Sequence, residues 1–306
     1  MKINHFKMKN SYLLRLHLIV FLWGFTAILG KLISADAHIL VFYRMSFAAL
    51  FLYLYLRIIR KQSIRITKKL LLNLVGIGSV MAFHWLFFFQ SIKVSNVSIA
   101  LSCLSLSTLF AALIEPVVFK RKPDWVEIII GIIIVICISL IFNAELKYKE
   151  GIFYGILCAL FGTVFSVFNG KIFGKTSSGN IIFYEIAGGW LVISIYFILT
   201  GQISSVGEIS YIDIALITLL ASVFTAYPMF ESVRLMKFIS PFTLILTVNL
   251  EPVYGIILAF FIFGASEHMS PVFYMASLVM IIAIVINGII KSRRKKNDTI
   301  TETNPL

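Results

Sequence analysis

The chain predicts an all-α integral membrane protein, with ten transmembrane helices in two inverted five-helix repeats. Three observations carry that prediction. Of 306 residues, 59% are hydrophobic and only 13% charged, too little polarity to cover a globular surface. The apolar residues fall in runs of about 20, the length a helix needs to cross a bilayer. The sequence also repeats: Phe42-Tyr43-Arg44 is echoed by Phe183-Tyr184-Glu185 at an offset of 141, Gly78-Ser79-Val80 by Ala221-Ser222-Val223 at 143, and Leu106 to Val118 by Leu250 to Ile262 at 144. Five crossings per block is an odd number, so the second block enters from the opposite face and lies inverted.

The expected spans are Leu13 to Ile33, Ile39 to Ile59, Leu70 to Gln90, Val97 to Phe119 and Val126 to Phe142, then Ile152 to Ile172, Ile181 to Thr200, Tyr211 to Val233, Pro241 to Phe263 and Val272 to Ile290. They divide the chain into an N-terminal tail (residues 1–12), a first repeat (13–142), a second repeat (151–290) and a basic, polar tail (291–306) that reads as disordered. The first span, with Ala35-Asp36-Ala37 behind it, imitates a signal peptide. It exceeds the usual apolar core of about 7 to 15 residues and is needed by the repeat, so it is expected to be retained. The fifth and tenth spans are almost purely aliphatic and suit a lipid-facing periphery. The other eight carry Ser, Thr, Asn, Tyr, Gly or charged groups and should enclose something polar.

The formal net charge of +13 is a topology signal more than a recognition signal. Only Lys31, Arg44, Lys93, Lys147 and Lys149 lie off one set of alternate flanks; the rest cluster in the tails, the Arg57 to Lys69 loop, Lys120 to Lys122, Lys171 with Lys175, and Arg234 with Lys237. This positive-inside bias puts both termini in the cytoplasm. It suits contact with membrane lipid and argues against nucleic acid. Cys103, Cys137 and Cys158 sit in apolar runs without a CxxC pair or neighbouring His, so neither disulfide nor metal is expected.

Glu251 is the sharpest site candidate, about 15 Å into the ninth span, where an ionised carboxylate is expensive unless it meets water, a cation or a proton. Thr243, Thr247 and Tyr254 share its quadrant, and Pro252 should release the carbonyl of Val248 and kink the helix. Arg44 lies about 9 Å inside the second span, too deep for an ordinary flank. It suits a substrate carboxylate, or an ion pair with Glu251 that holds a gate shut; the plain alternative is a snorkelling arginine. Helix three puts Asn73, Gly76 and His84 on one face, with a satisfied core histidine the favoured reading of His84. Glu185 stands opposite Arg44 in the repeat, about 6 Å inside its span, which suits an inner and an outer gate. Glu115 with Lys120 or Arg121, and Glu231 with Arg234, read as surface ion pairs. Ser98, Ser102, Ser105 and Ala112, Gly151 with Gly155, and Gly188-Gly189 read as packing faces. Gly170-Lys171-Ile172-Phe173-Gly174-Lys175-Thr176 is one residue short of a phosphate-binding Walker A loop and follows a membrane helix, so ATP is not implied.

The chain resembles the drug/metabolite transporter superfamily, in its EamA-type branch of ten helices. The resemblance rests on Leu22-Trp23-Gly24 with Lys31 in helix one, Phe42-Tyr43-Arg44 in helix two, and Leu250-Glu251-Pro252-Val253-Tyr254 running to Phe263-Gly264 and Glu267. It departs from that pattern at Thr108, where a proline opposite Pro252 is expected, and at Phe161-Gly162, opposite Trp23-Gly24. The resemblance implies a bacterial inner-membrane carrier that moves small metabolites or drug-like solutes, often outward, through a cavity between helices one to four and six to nine. The expected site is Glu251, Tyr254, Thr247, Arg44, His84 and Trp23 for substrate, with Arg44 and Glu185 as gates and Glu251 as a candidate proton carrier. Expected partners are a small-molecule substrate, membrane lipid and, as one option, a second copy in a homodimer; no cofactor is expected. The competing reading is a membrane-embedded enzyme on lipid-linked substrates using His84 and Glu251 as acid and base, but no nucleophile or metal set completes such a site.

Overall fold

The structure, a computed structural model, describes residues 2–235, 238, 247–248 and 250–303, with the side chains of residues 2–11, 203–205, 233 and 291–303 left aside. Every regular element among the described residues is helical, as hydrocarbon requires, because each backbone N–H and C=O must be satisfied within its own segment. In chain order these are α1 (Lys2–Leu32), α2 (Ala37–Leu54, continued by a π-helical turn at Tyr55–Ile59), α3 (Lys68–Val94), α4 (Val97–Leu104), α5 (Ser107–Phe119), α6 (Trp125–Ala144), α7 (Lys149–Ile172), α8 (Ser178–Leu199), α9 (Tyr211–Ala221, with a π-helical turn at Ser222–Ala226), α10 (Tyr227–Leu235), α11 (Glu251–Phe263) and α12 (Pro271–Thr303). Among the described residues, 9 stretches are long and apolar enough to cross a membrane. The expected ninth span, Pro241 to Phe263, lies partly outside the described residues, and α11 is its second half.

Short polar side chains set the starts of several helices. Thr67, Asn96, Asp124, Ser177 and Ser210 each accept a bond from a backbone N–H of the first turn that follows, satisfying donors that have no partner inside the helix. At the other end of the chain the disordered tail of the sequence reading is replaced by helix. The backbone of α12 continues to Thr303, because the Lys and Arg run after Ile290 favours helix and no proline intervenes before Pro305.

Two hydrophobic clusters organise the bundle. The larger draws buried residues from α1 to α4, from α7 to α9 and from α11. The second joins Ile130, Ile134 and Ile138 of α6 to Phe273, Ala276 and Met280 of α12, over Ile99 and Cys103 of α4 and Ile152 of α7. The two aliphatic spans are therefore peripheral but not lipid-facing all round. Each presents one face to the other and leaves Ile129, Ile132 and Ile136, or Met275, Leu278 and Ile282, exposed on the outer side.

Bonds of the same short spacing precede α5 and α11. Between α4 and α5 the bonds Ser105 N to Ser102 O (3.2 Å) and Leu106 N to Cys103 O (3.0 Å) have the tighter three-residue spacing. Leu250 N makes the same kind of bond to Thr247 O (3.0 Å) just before α11. Both α5 and α11 are 13 residues long, and their first residues, Ser107 and Glu251, are 144 positions apart. Pro252 accounts for the second break, since it lacks an N–H and suits the first turn of a helix. Thr108 occupies the matching position in the first half, so that break forms without a proline. A second parallel lies at the loops: Tyr43 Oη donates to the Val206 carbonyl and Tyr184 Oη to the Ile64 carbonyl, both at 2.7 Å.

Candidate functional site: a buried arginine beside a helix break

Arg44 and Glu185 each lie two turns inside their helices, α2 and α8, at a depth of about 10 Å. Arg44 is 3% exposed. Its Nε donates to Thr225 Oγ1 at 2.9 Å, and its guanidinium carbon lies 3.7 Å from the Trp85 ring centre and 5.3 Å from that of Phe89. Aromatic faces stabilise a cation most where water is excluded. The acceptor exists because of the π-helical turn in α9: Thr225 Oγ1 donates to the Leu220 carbonyl at 2.7 Å, five residues back. Arg44 Nη1 is buried and finds no hydrogen-bond partner among the described residues.

Glu251 opens α11, directly after the break. Its charge and that of Arg44 act on each other, yet no direct ion pair joins them in this conformation. His84 also lies within electrostatic reach of Arg44. Its Nδ1 is 2.9 Å from the Cys158 carbonyl and 3.3 Å from Cys158 Sγ, and Gly162 leaves room for the ring, since a Cβ there would sit 2.7 Å from Nδ1. The structure thus brings Arg44, His84 and Glu251 into one neighbourhood, with Thr247 buried at the break beside it. Thr243 lies outside the described residues.

Trp23 and Tyr254 go elsewhere. Both pack in a cluster between α1 and α11 with Leu16, Ile19 and Val248, and Tyr254 Oη lies 3.3 Å from His17 Nδ1. Glu185 is fully buried against α3; one carboxylate oxygen accepts from Asn169 Nδ2 at 3.2 Å and the other has no partner among the described residues. Neither the groove between α3 and α7 nor the one beside α11 is lined by Arg44 or Glu251. No group of three or more His, Cys, Asp or Glu suited to a metal forms among the described residues.

At the end of the bundle where α1 meets α2, two carboxylates fasten the helices. Glu267 accepts from Lys31 Nζ (2.7 Å), Val97 N (3.1 Å), Ser98 N (2.9 Å) and Ser98 Oγ (2.7 Å). Asn96 takes the next free N–H, of Ile99, at 2.9 Å. A carboxylate at a helix N-terminus gains from both the unpaired donors and the helix dipole. Asp213 accepts from Ser34 N (2.7 Å), Ser34 Oγ (2.6 Å) and Ala35 N (3.1 Å), closing the α1–α2 turn. Lys93 donates to the Ile33 carbonyl beside it. Sequence reasoning quoted Lys31 and Glu267 without pairing them, and missed Trp85, Thr225 and Asp213. Only the adjacency of an aromatic to His84 offered a signal for Trp85. Of the expected surface pairs, Glu115 meets Arg121 at 2.8 Å, with Glu127 at 3.2 Å from the same nitrogen, and Glu231 meets both Arg234 (3.2 Å) and Arg15 (3.4 Å).

The class of protein that the fold defines is an all-helical membrane protein, with 9 candidate spans among the described residues and charged groups buried within them. Residues 10–143 match the model of the EamA-like transporter family, and the described residues form a multi-pass helical membrane protein. The chain is 24% identical over 302 residues to the "Uncharacterized transporter YxxF" of Bacillus subtilis (strain 168), covering 96% of this chain and 94% of that one. It also shares its fold with a chain of known crystal structure, at a TM-score of 0.60 and 13% identity over 90% of this chain and 97% of that one.

Proposed function

We propose that this protein is an alternating-access secondary transporter that exports small metabolites or drug-like solutes across a bacterial inner membrane, with both termini in the cytoplasm. The observation that carries the reading is the buried Arg44 with an unpartnered Nη1, held near Glu251 where a span is broken. Discontinuous helices near the bilayer midplane, at matching positions in two halves, are where carriers of this architecture hold substrates. The matching breaks before α5 and α11, and the matching Tyr43 and Tyr184 bonds, support residues 13–142 and 151–290 as inverted repeats.

In this reading an anionic group of the substrate takes the open donor of Arg44, and Glu251 answers a cationic group or exchanges a proton. Thr247 and His84 serve the substrate path as neighbours of those two, while Tyr254 and Trp23 act at a distance, by holding the α1–α11 contact. Arg44 and Glu185, at equal depth from opposite ends, act as gates. The Lys31–Glu267 and Asp213–Ser34 contacts support a conformation closed on the outer side.

The test compares small-molecule pools inside and outside cells producing wild type or Glu251→Gln at matched expression. A compound displaced across the membrane by wild type alone identifies the substrate and the role of Glu251. Displacement that is equal in both, with the same pH dependence, sinks the role given to that carboxylate.

A further inference from the structure

A groove of about 460 Å³ runs between α3 and α7, away from the Arg44 neighbourhood. Its walls are Leu72, Gly76 and Val80 from α3 and Phe165 and Phe168 from α7. Leu72 is 73% exposed and Phe168 41%, so the groove opens sideways toward the hydrocarbon and not into the bundle. Gly76 shapes it: a Cβ added there meets nothing within 4 Å.

One end of this groove is polar and wholly basic. Asn73, Lys171 and Lys175 line it, and no Asp or Glu does. Lys69 stands one turn before Asn73 on the same face of α3. Lys171 lies in the last turn of α7 and Lys69 in the first turn of α3, so all three lysines sit at the bilayer edge. From Leu72 to Val80 the groove follows α3 for about 12 Å, most of the half-thickness of a hydrocarbon core about 30 Å thick. It therefore fits within one leaflet. The stretch Gly170 to Thr176, which has no scaffold for a nucleotide, supplies two of the cations. The other groove, beside α11, is lined by Glu267 and His268 and has no lysine or arginine.

We propose that the α3–α7 groove binds one anionic phospholipid, with an acyl chain along Gly76 and the phosphate on Lys171 and Lys175. Basic pockets between membrane helices recognise such headgroups because charge attraction adds to apolar burial. Assigning the lipid to the cytoplasmic leaflet rests on the orientation proposed above. Lipid retention in micelles does not depend on orientation or transport, so the two readings fail separately.

The test is native mass spectrometry of the full-length protein from mixed micelles containing equal phosphatidylglycerol and phosphatidylcholine. Wild type should retain phosphatidylglycerol in preference, by about tenfold, and Glu251→Gln should match it. Lys171→Gln with Lys175→Gln should abolish the preference while leaving lipid of either kind bound. Gly76→Phe, which fills open space, should remove both lipids without changing the melting temperature. Equal retention of the two lipids by wild type, a preference that survives loss of both lysines, or displacement by glycerol 3-phosphate would each overturn the proposal.

Discussion

Arg44 on α2 stacks over Trp85 on α3, its guanidinium carbon 3.7 Å from the ring centre. The pair joins two helices at a depth where neither charge nor an open hydrogen-bond donor is easily tolerated. Replacing Trp85 by Leu keeps the volume apolar but removes the ring face, an interaction of about 2 kcal/mol when desolvated. Trp85→Leu should lower the melting temperature in detergent and weaken substrate binding, with Trp85→Phe between it and wild type. A Trp85→Leu protein that melts and binds like wild type would show that the ring only fills space.

Glu267 combines an ion pair with two backbone bonds at the start of α4. Its side chain is 0% exposed and that of Lys31 23%. Removing one partner of a buried pair leaves the other uncompensated, at a cost of about 3–5 kcal/mol. Glu267→Ala should therefore destabilise strongly, and Lys31→Met less, since Glu267 keeps its bonds to Val97 and Ser98. Thermal melts of both single variants and the double variant measure the coupling; additive losses would mean that the pair contributes nothing of its own.

Gly78 and Gly76 are neighbours with opposite surroundings. Gly78 is pressed against the Glu185 backbone of α8, and a Cβ at Gly189 would in turn sit 2.6 Å from the Gly78 carbonyl oxygen. Gly78→Ala forces two helices apart, and such overpacking costs about 1–3 kcal/mol. Gly76→Ala should be neutral or slightly stabilising. Melting curves of the two alanine variants distinguish the sites, and equal curves would refute the close approach of α3 and α8.

Tyr43→Phe and Tyr184→Phe each delete one hydroxyl bonded to a loop carbonyl at 2.7 Å. Each should cost about 0.5–1.5 kcal/mol, and because the two contacts are far apart the double variant should show the sum. Unequal losses would indicate that the two halves hold their loops differently.

The fold was legible because its strongest determinants are local. Apolar run length gives the spans, and the offset near 144 anticipated even the matched starts at Ser107 and Glu251. The placement of Arg44 and Glu251 inside apolar spans was legible too, since intramembrane charge is conspicuous in any sequence. Their partners were not. Trp85, Thr225 and Cys158 come from helices α3, α9 and α7, and which side chains meet there depends on helix rotation and on the π-helical turn at Ser222–Ala226, neither of which leaves a periodic trace. Trp23 and Tyr254 share motifs with the site residues but face the α1–α11 seam, because a helix turns adjacent residues to different neighbours. Glu267 was read only as part of a motif, since its partners lie 236 and 169 residues away.

The interruptions before α5 and α11 bear on stiffness. An unbroken helix such as α3 resists bending because every turn would have to surrender hydrogen bonds. At Ser105–Leu106 shorter three-residue bonds stand at the junction of α4 and α5, and Leu250 makes one to Thr247 before α11, so bending at either point costs less than within an unbroken helix, and each segment that follows is 13 residues, about 20 Å long. Bending softness is thereby concentrated at the starts of α5 and α11, and the latter begins at the carboxylate of Glu251.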